Sequence, residues 1–353
     1  MHPGIQSRKC FFIMYSNTTP EIFSTVLSVE VVAAKRIYGG GNAEIHRLID
    51  AEGGVWCAKK YAYSETGRRD RMTTEWEALC FLLHCGVPDV PRPIALDPHR
   101  RIGVYEWIDG ESLSGKVYTV ADIDNAIEFL MRLNQLKTHP EAAQQKSASE
   151  ACFSLDTLWQ NLTQRQNRLL QTDTASDDFV AMRDFVGNAL REFMEQSMAR
   201  AYQEYDRLGR SCSLELAGEE WILSPSDFGF HNALRTASGI IWLDFEYFGW
   251  DDPAKTMIDF VLHPAMALGS PLKSHFWTTI LKQFDCVGDL AERAKILYPL
   301  YGIKWCYIML NEYLVEGSAR RTQAAGMEIS EAVRVRQLLK AQDLCNRLVR
   351  AYE

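Results

Sequence analysis

Ser224-Pro225-Ser226-Asp227-Phe228-Gly229-Phe230-His231-Asn232, followed after a short turn by Ile240-Ile241-Trp242-Leu243-Asp244-Phe245-Glu246, is the stretch on which the reading turns. The second part is a β-branched apolar run that ends in a carboxylate, and the first is a glycine-punctuated loop, so the two predict a strand-loop-strand unit. They lie in one compact β segment, Trp221–Leu223 with Ala233–Leu234 and Ile240–Phe245. Around it the pattern is helical, with amphipathic stretches near Ala121–Leu136, Ser154–Leu170, Asp178–Arg207, Ala254–Leu262, Pro271–Phe284, Leu290–Leu314 and Ile329–Tyr352. Lys137–Glu150 reads as a polar loop, and no internal repeat is visible.

Upstream of Gly110 the texture changes. Short β-rich runs, Val29–Tyr38, Ala43–Ile49 and Val55–Tyr61, are punctuated by Gly39-Gly40-Gly41-Asn42 and by an Asp50–Gly54 turn, which predicts an antiparallel meander. One helix interrupts it at about Arg71–His84, with Trp76, Leu79, Leu82 and Leu83 on its apolar face and Gly86 as its stop. Two more strands follow near Pro93–Leu96 and Ile102–Trp107. The expected organisation is α+β and bilobal: an extension over 1–28, a β-rich lobe over 29–107, a connector over 108–116 and a helical lobe over 117–353. A cleft between such lobes is a common ligand site.

Across 353 residues, 38 Lys and Arg against 46 Asp and Glu give a net charge of −8, which argues against a nucleic-acid binder. Hydrophobic residues are 47% and charged residues 24%, enough to bury a core without staples. Nine scattered cysteines, without a C-x-x-C pair or zinc-finger spacing, read as reduced thiols. Cys10–Tyr15 is too short for a signal-peptide core, and no run reaches the length of a membrane span. A soluble cytoplasmic protein without membrane partner is expected, and nothing in the sequence sets an oligomeric state.

Phosphoryl transfer to a hydroxyl needs a carboxylate at the attacking oxygen and oxygen ligands that hold Mg²⁺ on the phosphates. Asp227 with Asn232 reproduces a D-x-x-x-x-N loop, and Asp244 is placed to supply the second metal ligand. Either motif alone reads as an ordinary turn; together, in strand-loop-strand context, they point to this chemistry. Asp227-Phe228-Gly229 spells D-F-G, yet the metal aspartate must follow the loop asparagine, an order that Asp244 fits and Asp227 does not. In the β-rich lobe, Gly39-Gly40-Gly41-Asn42 can close a hairpin over phosphates. Lys59 at the end of Trp56-Cys57-Ala58-Lys59 can neutralise them if Glu75 holds it. His231 reads as a loop residue and His263, before Pro264, as a helix end.

In this order of motifs the chain resembles the aminoglycoside phosphotransferase and choline kinase-like family, over about Ile37 to Asp259. The resemblance implies a protein-kinase-like fold and an ATP-dependent kinase, with GTP as a possible donor and Mg²⁺ as the metal. Tyr38-Gly39-Gly40-Gly41-Asn42 is similar to the family's glycine loop, Cys57–Tyr61 to its lysine strand and Glu75–Leu79 to its helix motif. Val104–Gly110 is similar to its interlobe hinge, where the backbone at Glu106 and Ile108 would meet adenine. Asp244–Pro253 with Asp259 resembles its metal segment and a bracing aspartate. The sequence departs from the family's H-G-D-x-x-x-x-N at Pro225 and Ser226, which replace His and Gly and put the loop geometry in question.

The resemblance further implies a small hydroxylated acceptor, often a cationic amino sugar or amine held by acids of the helical lobe. Glu246, Asp251, Asp252, Asn311 and Glu312 are the candidates, with Trp305 in an aromatic stretch able to add cation–π attraction. Packed core is the competing reading of the Trp305 to Glu312 stretch. Gly110–Val117 nearly spells a P-loop, but Val117 stands where a hydroxyl is required. A catalytically degenerate nucleotide-binding scaffold is the alternative that Pro225-Ser226 keeps open. No activation segment follows Asp244 that would favour a protein substrate.

Overall fold

The computed structural model describes residues 19–37, 43–62, 70–284, 288–314 and 330–352. Five strands, β1 (Val31–Ile37), β2 (Ala43–Asp50), β3 (Val55–Tyr61), β4 (Pro93–Asp97) and β5 (Ile102–Glu106), form one antiparallel sheet in the order β1-β2-β3-β5-β4. Alternation along β5 sends its side chains to two different cores. Ile102 and Val104 join Leu48, Ala58 and Phe23 on one face, whereas Tyr105 joins Leu79 and Leu82 on the other.

Each face is covered by a helix. Helix α1 (Pro20–Leu27) starts with proline in its first turn, ends at Ser28 in the left-handed region (φ 58°) and buries Phe23 completely. It lies within the segment expected as an extension. Helix α2 (Arg71–His84) is capped by Asp70, which accepts from the Met72 N–H and also holds the Arg101 guanidinium at 2.6 Å.

The second lobe is helical. Its elements are α3 (Val120–Gln135), α4 (Leu155–Leu170), α5 (Asp177–Gly187), α6 (Ala189–Arg207), α7 (Pro253–Leu262), α8 (Ser270–Gln283), α9 (Leu290–Met309) and a last helix, Glu331–Tyr352. Thr119 and Asp122 form a capping box that starts α3. Every residue of α7 is buried, so its polar groups have to be satisfied inside the protein. Two expected helices are shorter than their patterns: Asn188 (φ −119°, ψ −92°) divides Asp178–Arg207, and a 3₁₀ turn over Leu310–Tyr313 ends α9 early. The expected polar loop contains two short 3₁₀ turns, Leu136–Thr138 and Pro140–Gln144.

The single expected β segment resolves into two small antiparallel sheets. Glu111–Ser112 (β6) pairs with β8 (Ala233–Thr236), which pairs with β9 (Gly239–Trp242); separately, β7 (Ile222–Ser224) pairs with β10 (Gly249–Asp251). The β7–β8 loop carries Asp227 and the β9–β10 loop carries Asp244. Gly249 is held close to the chain at 146–148, where a β-carbon would sit 2.1 Å from the Lys146 carbonyl oxygen. Among the described residues no helix is long and apolar enough to cross a membrane.

His46 on β2 packs against the Phe23 ring at 5.2 Å and is buried beneath α1. Burial, with Arg36 and Lys60 adding to it, pushes its pKa down from 6.5 to about 4. Between those values the unfolded chain binds a proton that the folded one refuses, so this stability is present above pH 6.5 and lost as pH falls through about 4. Urea midpoints at neutral and acid pH should therefore converge in His46→Gln, with the wild type losing about 1.4 kcal/mol more per unit of pKa shift.

Candidate functional site

Lys59 lies at the centre of the cleft. Its Nζ donates to Glu75 Oε1 at 2.6 Å and to Asp244 Oδ1 at 3.1 Å, so β3, α2 and the β9–β10 loop are joined by one ammonium. The other Glu75 oxygen accepts from the Tyr61 hydroxyl, which contacts the Tyr105 hydroxyl at 2.9 Å. Burial alone would depress the Lys59 pKa, but Asp244 and Glu75 outweigh it and hold the ammonium well above its usual range. Burial pushes the Glu75 carboxyl up, opposed by Lys59. Asp244 keeps about a third of its side chain exposed and takes a left-handed backbone (φ 68°), costly for a residue with a β-carbon.

The loop after β7 is built on short hydrogen bonds. Ser224 Oγ accepts from the Ser226 N–H at 3.0 Å and from Thr256 Oγ1 at 3.1 Å, and the Asp227 N–H returns to the Pro225 carbonyl. Ser226, which stands where glycine was expected, adopts the conformation a glycine would favour (φ 68°). Its hydroxyl accepts from Lys255 Nζ at 3.0 Å. Lys255, fully buried in α7, is held by Asp251 at 2.5 Å and Asp259 at 3.3 Å. Ser226 thus ties the turn to a buried ion cluster.

Asn232 Nδ2 donates to the Asp227 carbonyl at 3.1 Å, which leaves its Oδ1 as the acceptor. Leu243 N–H donates to the Asn232 carbonyl at 2.8 Å, keeping the two loops in register. An amide oxygen and a partly exposed carboxylate are hard donors that fit Mg²⁺, so Asn232 and Asp244 could hold it.

Asp227 carries the feature that the sequence reading missed. Its Oδ1 lies 3.2 Å from His231 Nε2 and 3.1 Å from His263 Nε2, and the two imidazoles stack at 3.8 Å and 10°. Burial would raise the Asp227 pKa, but the two histidine contacts win and hold it well below the carboxylate range. By distance these three side chains could hold a metal. The Ala265 N–H, however, donates to His263 Nδ1 at 3.2 Å, so the His263 proton sits on Nε2 and points at Asp227. The ring is a donor there. His231 is brought back by the 3₁₀ turn Phe230–Asn232, and His263 does end α7, four positions after Asp259.

The other expected residues fall as follows. The Glu106 N–H is taken by the Arg92 carbonyl at 2.9 Å, and Ile108 is half-buried just beyond β5. Gly39, Gly40, Gly41 and Asn42 lie outside the described residues. The acids expected near an acceptor are turned inward: Asp251 is spent on Lys255, and Asp252 caps α7 and binds Arg293 through both oxygens at 2.8 and 3.2 Å. Glu246 is 1% exposed, with its pKa pushed up to about 8 by burial and then by Asp244. Glu312 is buried and Asn311 half-buried. Trp305 is buried too, its indole N–H donating to Asp259 Oδ1 at 2.8 Å. Lys116 of the near P-loop is an exposed partner of Glu111 at 2.6 Å.

No protein-family model matches the chain, and no curated protein sequence matches it. Solved structures do. A spectinomycin phosphotransferase in complex with ADP and spectinomycin is similar over 92% of this chain and 97% of its own, at 13% identity and a TM-score of 0.56. A choline kinase from Streptococcus pneumoniae is similar over 93% and 97%, at 14% identity and a TM-score of 0.55. An amicoumacin kinase in complex with AMP-PNP, Ca²⁺ and Ami is similar over 93% and 92%, at 13% identity and a TM-score of 0.53. At such identities the likeness is one of fold, and the fold is the bilobal, protein-kinase-like one that the sequence resembles.

The ion cluster behind the loop makes a sharp contrast between two substitutions. Lys255→Met leaves Asp251 and Asp259 buried without their shared cation and should cost about 3–5 kcal/mol in denaturant unfolding. Ser226→Gly relieves the left-handed strain while losing one hydrogen bond, and should stay within about 1 kcal/mol of wild type.

Proposed function

We propose that the chain is an ATP-dependent, Mg²⁺-requiring phosphotransferase acting on a hydroxyl of a small metabolite such as an amino sugar, sugar derivative or amino alcohol. The observation that carries this reading is the Lys59 ammonium between Glu75 and Asp244, with the Asp227–Asn232 loop bonded to the chain next to Asp244. A half-buried lysine held charged by two carboxylates is suited to phosphate oxygens, and its glutamate keeps it from collapsing onto the metal ligand alone.

In this reading Asn232 Oδ1 and Asp244 hold Mg²⁺, which would neutralise charge on the transferring phosphates. Asp227 faces the acceptor. The acceptor oxygen forms a bond to the γ-phosphorus as the bond from that phosphorus to the β–γ bridging oxygen breaks, ADP leaves, and the hydroxyl proton passes to Asp227 and then to water. A carboxylate held well below its usual pKa is a weak base. That suffices where the transition state is loose and the hydroxyl becomes acidic only as the new bond forms. Asp227 therefore acts chiefly by orienting the attacking oxygen.

The fold neighbours that hold ADP with spectinomycin, or AMP-PNP with Ca²⁺, support a nucleotide, a divalent ion and a small acceptor. The inward-facing acids favour no particular acceptor charge. A degenerate scaffold would more readily have lost one of Lys59, Asp227, Asn232 or Asp244, and all four are present.

Thermal unfolding with ATP and GTP, each with and without Mg²⁺, tests the reading. A Mg²⁺-dependent stabilisation of about 2.7 kcal/mol is expected at a hundredfold excess over the dissociation constant. Asp227→Asn should retain that shift while transfer falls by about 10²–10⁴-fold, and Asp244→Ala should lose the Mg²⁺ dependence. No nucleotide shift from folded protein, or full activity in either variant, would sink it.

A further inference from the structure

His231, half-buried, and His263, buried, lie beside the reacting carboxylate, and the phosphotransfer reading assigns them nothing. We propose that they are positioning residues for Asp227, two imidazoles that donate from Nε2 to Oδ1 together and leave Oδ2 for the acceptor hydroxyl; this rests on the phosphotransfer reading.

The proton positions follow from their partners. His263 Nδ1 accepts from the Ala265 N–H at 3.2 Å, so this ring carries its proton on Nε2, 3.1 Å from Asp227 Oδ1. Among the described residues His231 Nδ1 is enclosed and has no hydrogen-bond partner, so its Nε2, 3.2 Å from the same oxygen, is the nitrogen that donates. The two rings stack in parallel at 3.8 Å, which holds both Nε2 atoms on the same carboxylate oxygen. Among the described residues no hydrogen bond reaches Asp227 Oδ2, and about a third of the side chain remains open to solvent.

The clamp is itself anchored. The Trp305 ring meets the His263 ring edge-on at 4.5 Å and 75°, and its N–H donates to Asp259 Oδ1. The other Asp259 oxygen holds Lys255, whose Nζ donates to Ser226, the residue before Asp227. The contacts close a ring: Ser226, Lys255, Asp259, Trp305, His263 and back to Asp227. Backbone and carboxylate of the same residue are thus fixed by one network, delivered from α7 and α9 where the loop itself has Pro225 and Ser226.

The experiment has two arms. In the first, ¹⁵N NMR of imidazole-labelled intact protein should find both rings as Nε2–H tautomers, and both should shift in Asp227→Asn. An Nδ1–H tautomer at His263, or no response to Asp227→Asn, overturns the clamp whether or not the protein transfers phosphate. In the second, His263→Phe keeps the ring and loses the donor, and His263→Gln restores an N–H. His263→Phe should lower kcat about 10- to 100-fold with the KM for ATP within about twofold, and His263→Gln should recover most of the loss. A raised KM with unchanged kcat, or equal loss in both variants, overturns the positioning role. A wild-type protein that transfers no phosphate to any acceptor refutes the function instead, and the tautomers alone then decide the clamp.

Discussion

A buried ammonium cannot stand alone. Lys59 is largely enclosed between sheet and helix, and desolvating its charge is tolerable only because two carboxylates face it. One of them, Glu75, belongs to the small lobe; the other, Asp244, is 185 residues away in the helical lobe. Much of the arrangement around the cleft follows from satisfying that one charge. α2 has to present Glu75 to β3, and Tyr61, itself held by the Tyr105 hydroxyl, has to satisfy the second Glu75 oxygen. β9 has to end where the loop after it lets Asp244 reach the lysine, even at the cost of a left-handed backbone.

Behind the loop lies a second charge layer with a different purpose. Lys255, Asp251 and Asp259, and Arg293 with Asp252, are buried in and around a helix that has no solvent-facing side. Replacing such groups by apolar residues is often neutral or favourable for stability, so stability alone explains them poorly. What they provide is directional: hydrogen bonds that reach Ser226 and, through Trp305, His263. The helical lobe's core acts as the mount on which a single carboxylate is aimed.

The sequence was legible where chemistry and order coincide. Lys59, Glu75, Asp227, Asn232 and Asp244 stand out because few sequences carry those residue types in that succession, and the structure brings Lys59, Glu75 and Asp244 into contact. The strands and most helices followed from period and turn residues. Acids were harder. Asp252 reads the same whether it faces a ligand or Arg293, and only the tertiary partner 41 residues away separates the two. His263 was hidden for the same reason, being 36 residues from the carboxylate it touches. Asn188 divides a helix without the glycine or proline that would have announced it, and α1 is too short to stand out from its flanks.

The position of α1 also bears on how the chain is made. An eight-residue helix is not stable by itself in water, and Phe23 finds its pocket only when Leu48, Ala58, Ile102 and Val104 are in place. At synthesis rates of about 5–20 residues per second, this segment leaves the ribosome seconds before its docking surface exists. Lys59 waits longer still for Asp244. The small lobe is therefore begun before the residues that complete it are made, and until then the apolar face that α1 covers stays unpaired.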